Sequence, residues 1–473
     1  MNSDIIITDR SKRFWLVLSL CLIHLVLGLD INIVSVSLPV LSKHFSLSIN
    51  EVTRVVWIYF LILTSFLLLF GKLGDLKGFK KIYLTGTIIF LLGSFLAGMS
   101  PNFDFLIGSR IIQAIGGAIL FALSPAVISA FFPQNIRGKI YGYNYSFVAF
   151  GGIIGRGLSG YMIDSFGWNS IFLINIPFGI IAIILILKYL PSKQILDKSV
   201  RFDIWGTFLI FTSLFLFLFL INNGNESGWL SVPIIISLVI SLVLFLLFYL
   251  REKKFSSPLI NLSFFKNKSF IFSSIAFLCI YLITNGMVFI FPFFLQWGRG
   301  FTVSESGLMM VIPSVMQVIS GSIAGNLSDK IGSRKICITG IILSAFSYLL
   351  FYLLNLGSGI YLIAISLVLF GIAIGTYVPS NTKLIMSFAP EDKNGIIASI
   401  MITINRAGSA MGVCLYGAIF SIFVPQKNPV QANIPLDAIM IGFKYTFLFG
   451  IAVILISLLF SVSALKKKTL IEN

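Results

Sequence analysis

The sequence predicts an all-α polytopic membrane protein, on three observations. Hydrophobic residues make up 57% of its 473 residues and charged residues only 11%, with a mean hydropathy of +1.00, a balance that no soluble domain carries. The apolar residues gather into about fourteen runs, each long enough to cross a hydrocarbon core of about 30 Å. The basic residues behind the formal charge of +17 lie in the short loops between those runs, so the charge reads as a topology signal and not as a nucleic-acid surface.

The first run, 14–40, follows a charged segment (Asp4, Asp9, Arg10, Lys12, Arg13). It is too long for a signal peptide and has no clear small-residue cleavage site, so it is expected to be a retained first span. Runs 51–72, 80–99, 104–132, 138–162 and 168–190 complete a set of six. Runs 203–223 and 230–250 lie between basic linkers at 191–202 and 251–267. A last set of six occupies 268–296, 303–327, 335–355, 360–388, 394–424 and 439–465. With the N-terminus inside, the inner loops hold Lys72, Lys77, Lys80 and Lys81, then Arg137 and Lys139, then Lys193, Lys198 and Arg201. They continue with Arg251, Lys253, Lys254, Lys266 and Lys268, then Lys330, Arg334 and Lys335, and finally Lys466, Lys467 and Lys468. The outer turns hold little beyond Lys43, Arg54, Arg299 and Lys427. This asymmetry predicts a multi-pass protein of the cell membrane with an even number of spans and both termini cytoplasmic.

A repeat adds architecture. Gly71, Gly74, Asp75 and Gly78, followed by Lys80 and Lys81, form a glycine-rich charged turn between two spans; Gly325, Asp329 and Gly332, followed by Arg334 and Lys335, repeat the scheme. Two copies in matching context imply two related halves. Eight spans separate them instead of six, so the seventh and eighth are extra. The expected division is an N-terminal six-helix bundle over 1–190, two additional helices with basic linkers over 191–267, and a C-terminal six-helix bundle over 268–473.

Other chemistries are not signalled. Cys21, Cys279, Cys337 and Cys414 are far apart in apolar runs, with no metal or redox spacing. No GxxxxGK[ST], HExxH or GxSxG pattern occurs, and no stretch outside the spans is long enough for a soluble domain. A non-enzymatic protein with no cofactor and no metal is expected. Its partners would be a small-molecule substrate, protons and membrane lipids, with no nucleic acid, and it is expected to be a monomer.

On its motifs the chain resembles the major facilitator superfamily, and within it the fourteen-span drug:proton antiporter family. Leu29-Asp30 with Asn32 and Leu38-Pro39 looks like that family's first-helix motif, and Gly71 to Lys81 like its loop motif. Arg110, Gln113, Gly116 and Gly117 resemble the fourth-helix motif; Trp168, Phe172, Asn175, Pro177 and Gly179 resemble the sixth. Pro258-Leu259-Ile260 with Leu262 and Phe265 is similar to the segment entering span nine, and Asn405-Arg406 with Gly408 and Gly412 to the pattern in span thirteen. The resemblance implies a major facilitator fold, alternating access between two halves, and a gating role for Gly71, Gly74, Asp75, Gly78, Lys80, Lys81, Asp329, Gly332 and Arg334. The chain departs from the pattern at Leu76 and Phe79, where basic residues are usual. In span five, Gly155-Arg156-Gly157 stands where the antiporter motif has a proline after the glycine. Gly142, Gly151, Gly155 and Gly160 keep a small face there, which in the family pattern seals the two halves.

Charges at lipid depth mark function. Counted along the helices, Asp30 lies roughly 24 Å above the inner start of span one and Arg110 roughly 9 Å below the outer start of span four. They share a depth, which makes Asp30 a candidate protonation site with Arg110 as its partner; a static pair locking two helices is the competing reading. Arg156 and Arg406 lie about 25 Å and about 18 Å up their spans. Three arginines and one carboxylate at depth favour anionic or zwitterionic solutes over bare cations.

Further polar or aromatic candidates for the substrate pathway are Asn144, Tyr145, Tyr281, Asn285, Gln296, Trp297, Gln317, Asn381 and Asn405, against the competing reading that each bonds a neighbouring helix. His24 lies on a different face from Asp30 and His44 in an outer loop, so neither reads as a proton relay. The leading expectation is a secondary transporter coupling proton entry to export of amphipathic small molecules, of the multidrug efflux type. The alternative is a major facilitator transporter of an anionic or zwitterionic solute or lipid with another coupling mode, suggested by Arg156.

Overall fold

The computed structural model describes residues 7, 9–192, 203–255, 262–388, 394–424 and 435–464. Among these it is helical, with no strand. The helices are α1 (Arg10–Phe45), α2 (Ile49–Lys77), α3 (Phe79–Gly98), α4 (Phe103–Phe131), α5 (Gln134–Phe166), α6 (Ser170–Leu173), α7 (Asn175–Tyr189), α8 (Ile204–Ser227), α9 (Val232–Lys254), α10 (Lys268–Phe293), α11 (Val303–Ile331), α12 (Ser333–Leu353), α13 (Ile360–Met386), α14 (Asn394–Phe423) and α15 (Leu436–Ser463). Counting α6 and α7 as one broken segment, these are fourteen long segments. Thirteen are long and apolar enough to cross a membrane. The exception is α5, whose glycines, Asn144, tyrosines and Arg156 make it too polar by composition. The linker cations Lys193, Lys198 and Arg201, the Pro258-Leu259-Ile260 run, Lys427 and Lys466–Lys468 lie outside the described residues.

The chain divides into two compact units. One draws on Met1–Ser37, Arg54–Phe215 and Ser241–Ile260; the other on Leu38–Thr53, Leu216–Ile240 and Asn261–Asn473. Four of the five boundaries fall inside α1, α2, α8 and α9, and the fifth, 260/261, lies outside the described residues.

The two glycine-rich motifs differ from the expected loops. Gly71, Gly74 and Asp75 continue α2 as helical backbone, and their side chains lie outside the described residues. The turn is the single residue Gly78, at φ 92° and ψ 129°. Its counterpart Gly332 has φ 92° and ψ 137° between α11 and α12. No described atom lies within 4 Å of a Cβ built on either glycine, so the backbone angle, and not crowding, calls for glycine. At the same separation along the chain, Gly86 corresponds to Gly340, Gly117 to Gly371, and the helix-interior Pro125 to Pro379. The repeat therefore extends from the turn through two whole helices.

Glycines also set helix contacts. A Cβ on Gly155 would lie 2.8 Å from the Leu29 carbonyl oxygen, and one on Gly151 would strike the Leu25 carbonyl. In the other unit a Cβ on Gly408 would lie 2.7 Å from the Leu278 carbonyl oxygen, and one on Gly412 would strike that of Leu282. So α5 packs backbone to backbone on α1, and α14 does the same on α10. The close helix approach expected of the α5 face is made by Gly151 and Gly155 against α1, while a Cβ on Gly142 would meet no described atom within 4 Å. No proline interrupts α5 at Arg156.

Side chains tie the hairpin of α8 and α9. Ser213 Oγ donates to the Ser241 carbonyl and Ser241 Oγ to the Ser213 carbonyl, each at 2.9 Å. Below them Asp203 accepts from Gly206 N at 2.8 Å and from Arg251 Nε at 2.6 Å. In the other unit the interior is aromatic: Phe294 stacks on Phe443 with ring centroids 4.2 Å apart, and Phe447, Phe351 and Phe291 continue the cluster. The four cysteines are buried and free.

Candidate functional site

Asp30 lies midway along α1 and is fully buried. A carboxylate there needs partners from other helices, because the backbone of its own helix is already hydrogen-bonded. Helices α4 and α7 supply them, and α3 braces two of the donors. Arg110 Nη1 on α4 reaches both carboxylate oxygens, at 2.9 and 3.1 Å. Gln113 Nε2, one turn further along α4, donates at 2.8 Å. Asn175 Nδ2 at the start of α7 donates at 3.2 Å. Ser94 Oγ on α3 accepts from Gln113 at 2.6 Å and from Asn175 at 3.0 Å, joining the two amides.

The guanidinium has further contacts. Arg110 Nη1 donates to Gln113 Oε1 at 2.6 Å and Nε to the Val55 carbonyl at 3.3 Å. Its carbon lies 4.2 Å from the centroid of the Tyr59 ring and 5.7 Å from that of Phe172. Every residue of this cluster is nearly closed to solvent. The glycine of α3 that faces α4 makes the approach possible: a Cβ on Gly93 would lie 2.6 Å from Gln113 Cβ. The predicted pair, Asp30 and Arg110, is thus brought together. Gln113 and Asn175 entered the sequence reading only as motif residues, and Ser94 and Tyr59 not at all.

The other unit carries a second polar group. Asn285 on α10 donates from Nδ2 to the Tyr281 carbonyl at 3.1 Å and to Ser409 Oγ of α14 at 2.9 Å. Ser409 Oγ in turn donates to the Asn405 carbonyl at 2.8 Å and lies 3.4 Å from Asn405 Oδ1. Tyr281, Asn285, Asn405 and Arg406 are all half-buried. Asn381 is buried and donates to the Ser273 carbonyl at 3.3 Å, which makes it a helix tie.

The remaining candidates are dispersed. Asn144 is buried and accepts from Cys21 Sγ at 3.6 Å, so it bonds α1, whereas the adjacent Tyr145 is exposed. Arg156 and Gln317 are half-buried on α5 and α11. Gln296 and Trp297 lie in a wide π-helical turn, Phe294–Gly298, that follows α10. Gln296 Nε2 reaches Ser306 Oγ at 3.3 Å, and Trp297 packs edge-on to Phe293 with centroids 4.8 Å apart. Asp329 pairs with Lys383 of α13, both largely exposed, and Lys80 Nζ donates to the Leu187 carbonyl at 2.6 Å. His24 is occupied by the Leu20 carbonyl at 2.8 Å.

One cluster had no counterpart in the sequence reading. Asn222, near the end of α8, accepts from Thr53 Oγ1 at 2.8 Å and donates to the Asn50 carbonyl at 3.1 Å. Asn225 on the same helix donates to the Ala418 carbonyl and, at 3.0 Å, to Ser421 Oγ. The run Asn222-Asn223-Gly224-Asn225-Glu226 was the available signal, polar residues at the end of an apolar span.

Comparison with known proteins agrees with this architecture. The family model described as Major Facilitator Superfamily matches residues 20–413. The chain is 32% identical over 458 residues to the riboflavin transporter RibZ of Clostridioides difficile (strain 630), covering 96% of this chain and 98% of that protein. It is 29% identical to the multidrug transporter protein MdtP of Bacillus subtilis (strain 168), over 87% of this chain and 76% of the relative. It is also 28% identical to the methylenomycin A resistance protein of the same organism, over 85% and 86%. Among solved structures, a bacterial homolog of the human lysosomal transporter Spinster, captured inward-facing, superimposes with a TM-score of 0.72 at 16% identity, covering 96% and 97% of the two chains. With a family model spanning most of its length and relatives that are membrane transporters, this multi-pass chain belongs to the Major Facilitator Superfamily.

Proposed function

We propose that this transporter is proton-coupled and exports amphipathic, aromatic small molecules by alternating access, as the fourteen-span drug:proton antiporters do. The observation that carries the reading is the sealed cluster around Asp30. A static lock would need only the arginine. Here Arg110 keeps the Gln113 oxygen, the Val55 carbonyl and the Tyr59 face even when Asp30 takes a proton. In this reading the cluster tolerates both charge states of the carboxylate. Asp30 carries the proton and Arg110 holds the carboxylate between turnovers. In this reading the chain lies in the cell membrane as a monomer with both termini cytoplasmic, as bundles 1–190 and 268–473 joined through the hairpin within 191–267.

The relatives narrow the solute in two directions. Names such as multidrug transporter favour lipophilic drugs. The near end-to-end match to a riboflavin transporter favours a flat heteroaromatic metabolite. Both are amphipathic aromatic solutes. Transport by purified protein in sealed vesicles tests the reading. An imposed pH gradient should drive accumulation of riboflavin or ethidium, and collapse of the gradient should abolish it. Accumulation indifferent to the gradient would reject proton coupling.

A further inference from the structure

Asn285, Ser409 and Asn405 form a recognition edge in the unit that holds α10 and α14. The orientation of Asn285 is fixed by chemistry. A backbone carbonyl can only accept, so the group facing Tyr281 O at 3.1 Å is the amide nitrogen. The second hydrogen of that nitrogen goes to Ser409 Oγ, 2.9 Å away. Both donors are engaged within the protein, and among the described residues Asn285 Oδ1 is left as an acceptor without a partner. The Ser409 proton goes to the Asn405 carbonyl at 2.8 Å. Its approach to Asn405 Oδ1, at 3.4 Å, is long, and among the described residues the Asn405 amide nitrogen donates to no partner, which leaves two donors to offer. All three groups meet at one hydroxyl, and both carboxamides belong to half-buried residues.

The helices have to be close for this to occur. Gly408 and Gly412 provide the closeness, since a side chain on either would strike a carbonyl of α10. One turn before Asn285, the half-buried Tyr281 packs edge-on to Phe277 with centroids 4.8 Å apart, leaving a ring beside the polar edge.

We propose that this pair of carboxamides reads a cyclic imide or lactam edge on a flat solute. The solute's N–H donates to Asn285 Oδ1, and its neighbouring C=O accepts from Asn405 Nδ2. Ser409 acts as a positioning residue that holds both amides. The inference rests on the proposed transport of aromatic solutes, and it names the chemistry by which one class of them is selected. An isoalloxazine, whose pyrimidinedione ring carries such an edge, fits it. A lipophilic cation without such an edge does not. Neutral donors and acceptors also discriminate where charge cannot, because an unmatched polar group in a water-poor site is left unpaired.

The test is binding to the full-length purified chain, followed by quenching of flavin fluorescence, with riboflavin and its N3-methylated analogue as probes. Methylation removes the N–H and keeps the ring. The wild-type chain should prefer riboflavin by about tenfold or more. Asn285→Leu and Asn405→Ala should each bring the ratio of the two affinities close to one, and Ser409→Ala should reduce it while Ser409→Thr retains it. Because the readout is a ratio, a variant that is merely less stable lowers both affinities without changing it. Equal binding of the two probes by the wild type, no binding of either, or an unchanged ratio in Asn285→Leu overturns the proposal. Gradient-driven transport in vesicles is scored separately. Discrimination in binding without coupled transport would sink the exporter reading and leave the recognition edge standing; coupled transport without discrimination would do the reverse.

Discussion

Asp30 and Arg110 meet at 2.9 Å with neither side chain open to solvent. Removing one partner from such a pair leaves an uncompensated charge, which costs about 3–5 kcal/mol. The arginine has four other contacts and the aspartate has two amides, so the two are not equally exposed to that cost.

Asp30→Asn is therefore expected to fold, to retain solute exchange across vesicles without a gradient, and to lose accumulation driven by a pH gradient. Arg110→Ala is expected to be the more damaging change, lowering stability by about 3 kcal/mol or more. Counterflow and gradient-driven uptake measured on the same vesicles separate the two effects. Undiminished accumulation by Asp30→Asn would remove it as the essential proton carrier.

The glycines of α5 and α14 should split by contact. Gly155→Ala and Gly412→Ala place a methyl against a backbone carbonyl, and each is expected to lower the melting temperature, with overpacking costs of about 1–3 kcal/mol. Gly142→Ala meets open space and should be neutral or stabilising by up to about 1 kcal/mol, because alanine is the better helix former. Thermal denaturation in detergent ranks the three, and a destabilised Gly142→Ala would contradict the assignment.

Much of this fold was legible because lipid imposes strict rules on a sequence. Apolar runs of the right length must be helices, and an aspartate inside one must have a partner. That logic found Asp30, Arg110 and the order of the spans. It did not pass α5 by composition, since Asn144, Arg156 and the glycines dilute the apolar signal; there the motif pattern was the better guide. It also could not find Ser94 or the Asn222 cluster. Ser94 is a small hydroxyl that most often bonds its own helix, and only the three-dimensional meeting of α3, α4 and α7 gives it two amides. Asn222 finds Asn50 and Thr53 from far along the chain, a pairing that no periodicity encodes.

The Asn222 cluster should behave as a tie. Asn222→Leu keeps the volume but leaves the buried Thr53 hydroxyl and Asn50 carbonyl each without that amide. A loss of about 1–3 kcal/mol is expected, read as a lowered melting temperature. Thr53→Val combined with Asn222→Leu should cost less than the sum of the single changes, because both remove the same bond. Full additivity would show that the two residues do not act together.

The two turn glycines make a paired prediction. Gly78 and Gly332 share φ 92° with open space around both. Alanine at either should cost about 1–2 kcal/mol from backbone strain alone, and asparagine less, since it tolerates positive φ. The two sites should respond alike, because their angles agree. A change tolerated at one turn and damaging at the other would break the equivalence of the halves.

Arg156 carries the last prediction, since it stands where the antiporter pattern has proline. Its helix runs unbroken from Gln134 to Phe166, as expected once the proline that would remove a backbone donor is absent. The preceding Gly155 is pressed against the Leu29 carbonyl, which fixes the rotation of α5 and leaves the half-buried arginine on an adjoining face. A fixed positive charge within about 10 Å of a solute, at an effective dielectric of about 20, disfavours a cation by roughly 1–2 kcal/mol. That corresponds to about tenfold in relative affinity. Arg156→Ala should accordingly raise transport of a lipophilic cation such as ethidium, relative to a neutral or anionic aromatic solute, by about that factor. Arg156→Lys should keep the native preference. Competition between the two solutes in the same vesicles gives the ratio directly, and a ratio unmoved by Arg156→Ala would assign the residue to helix packing instead of selectivity.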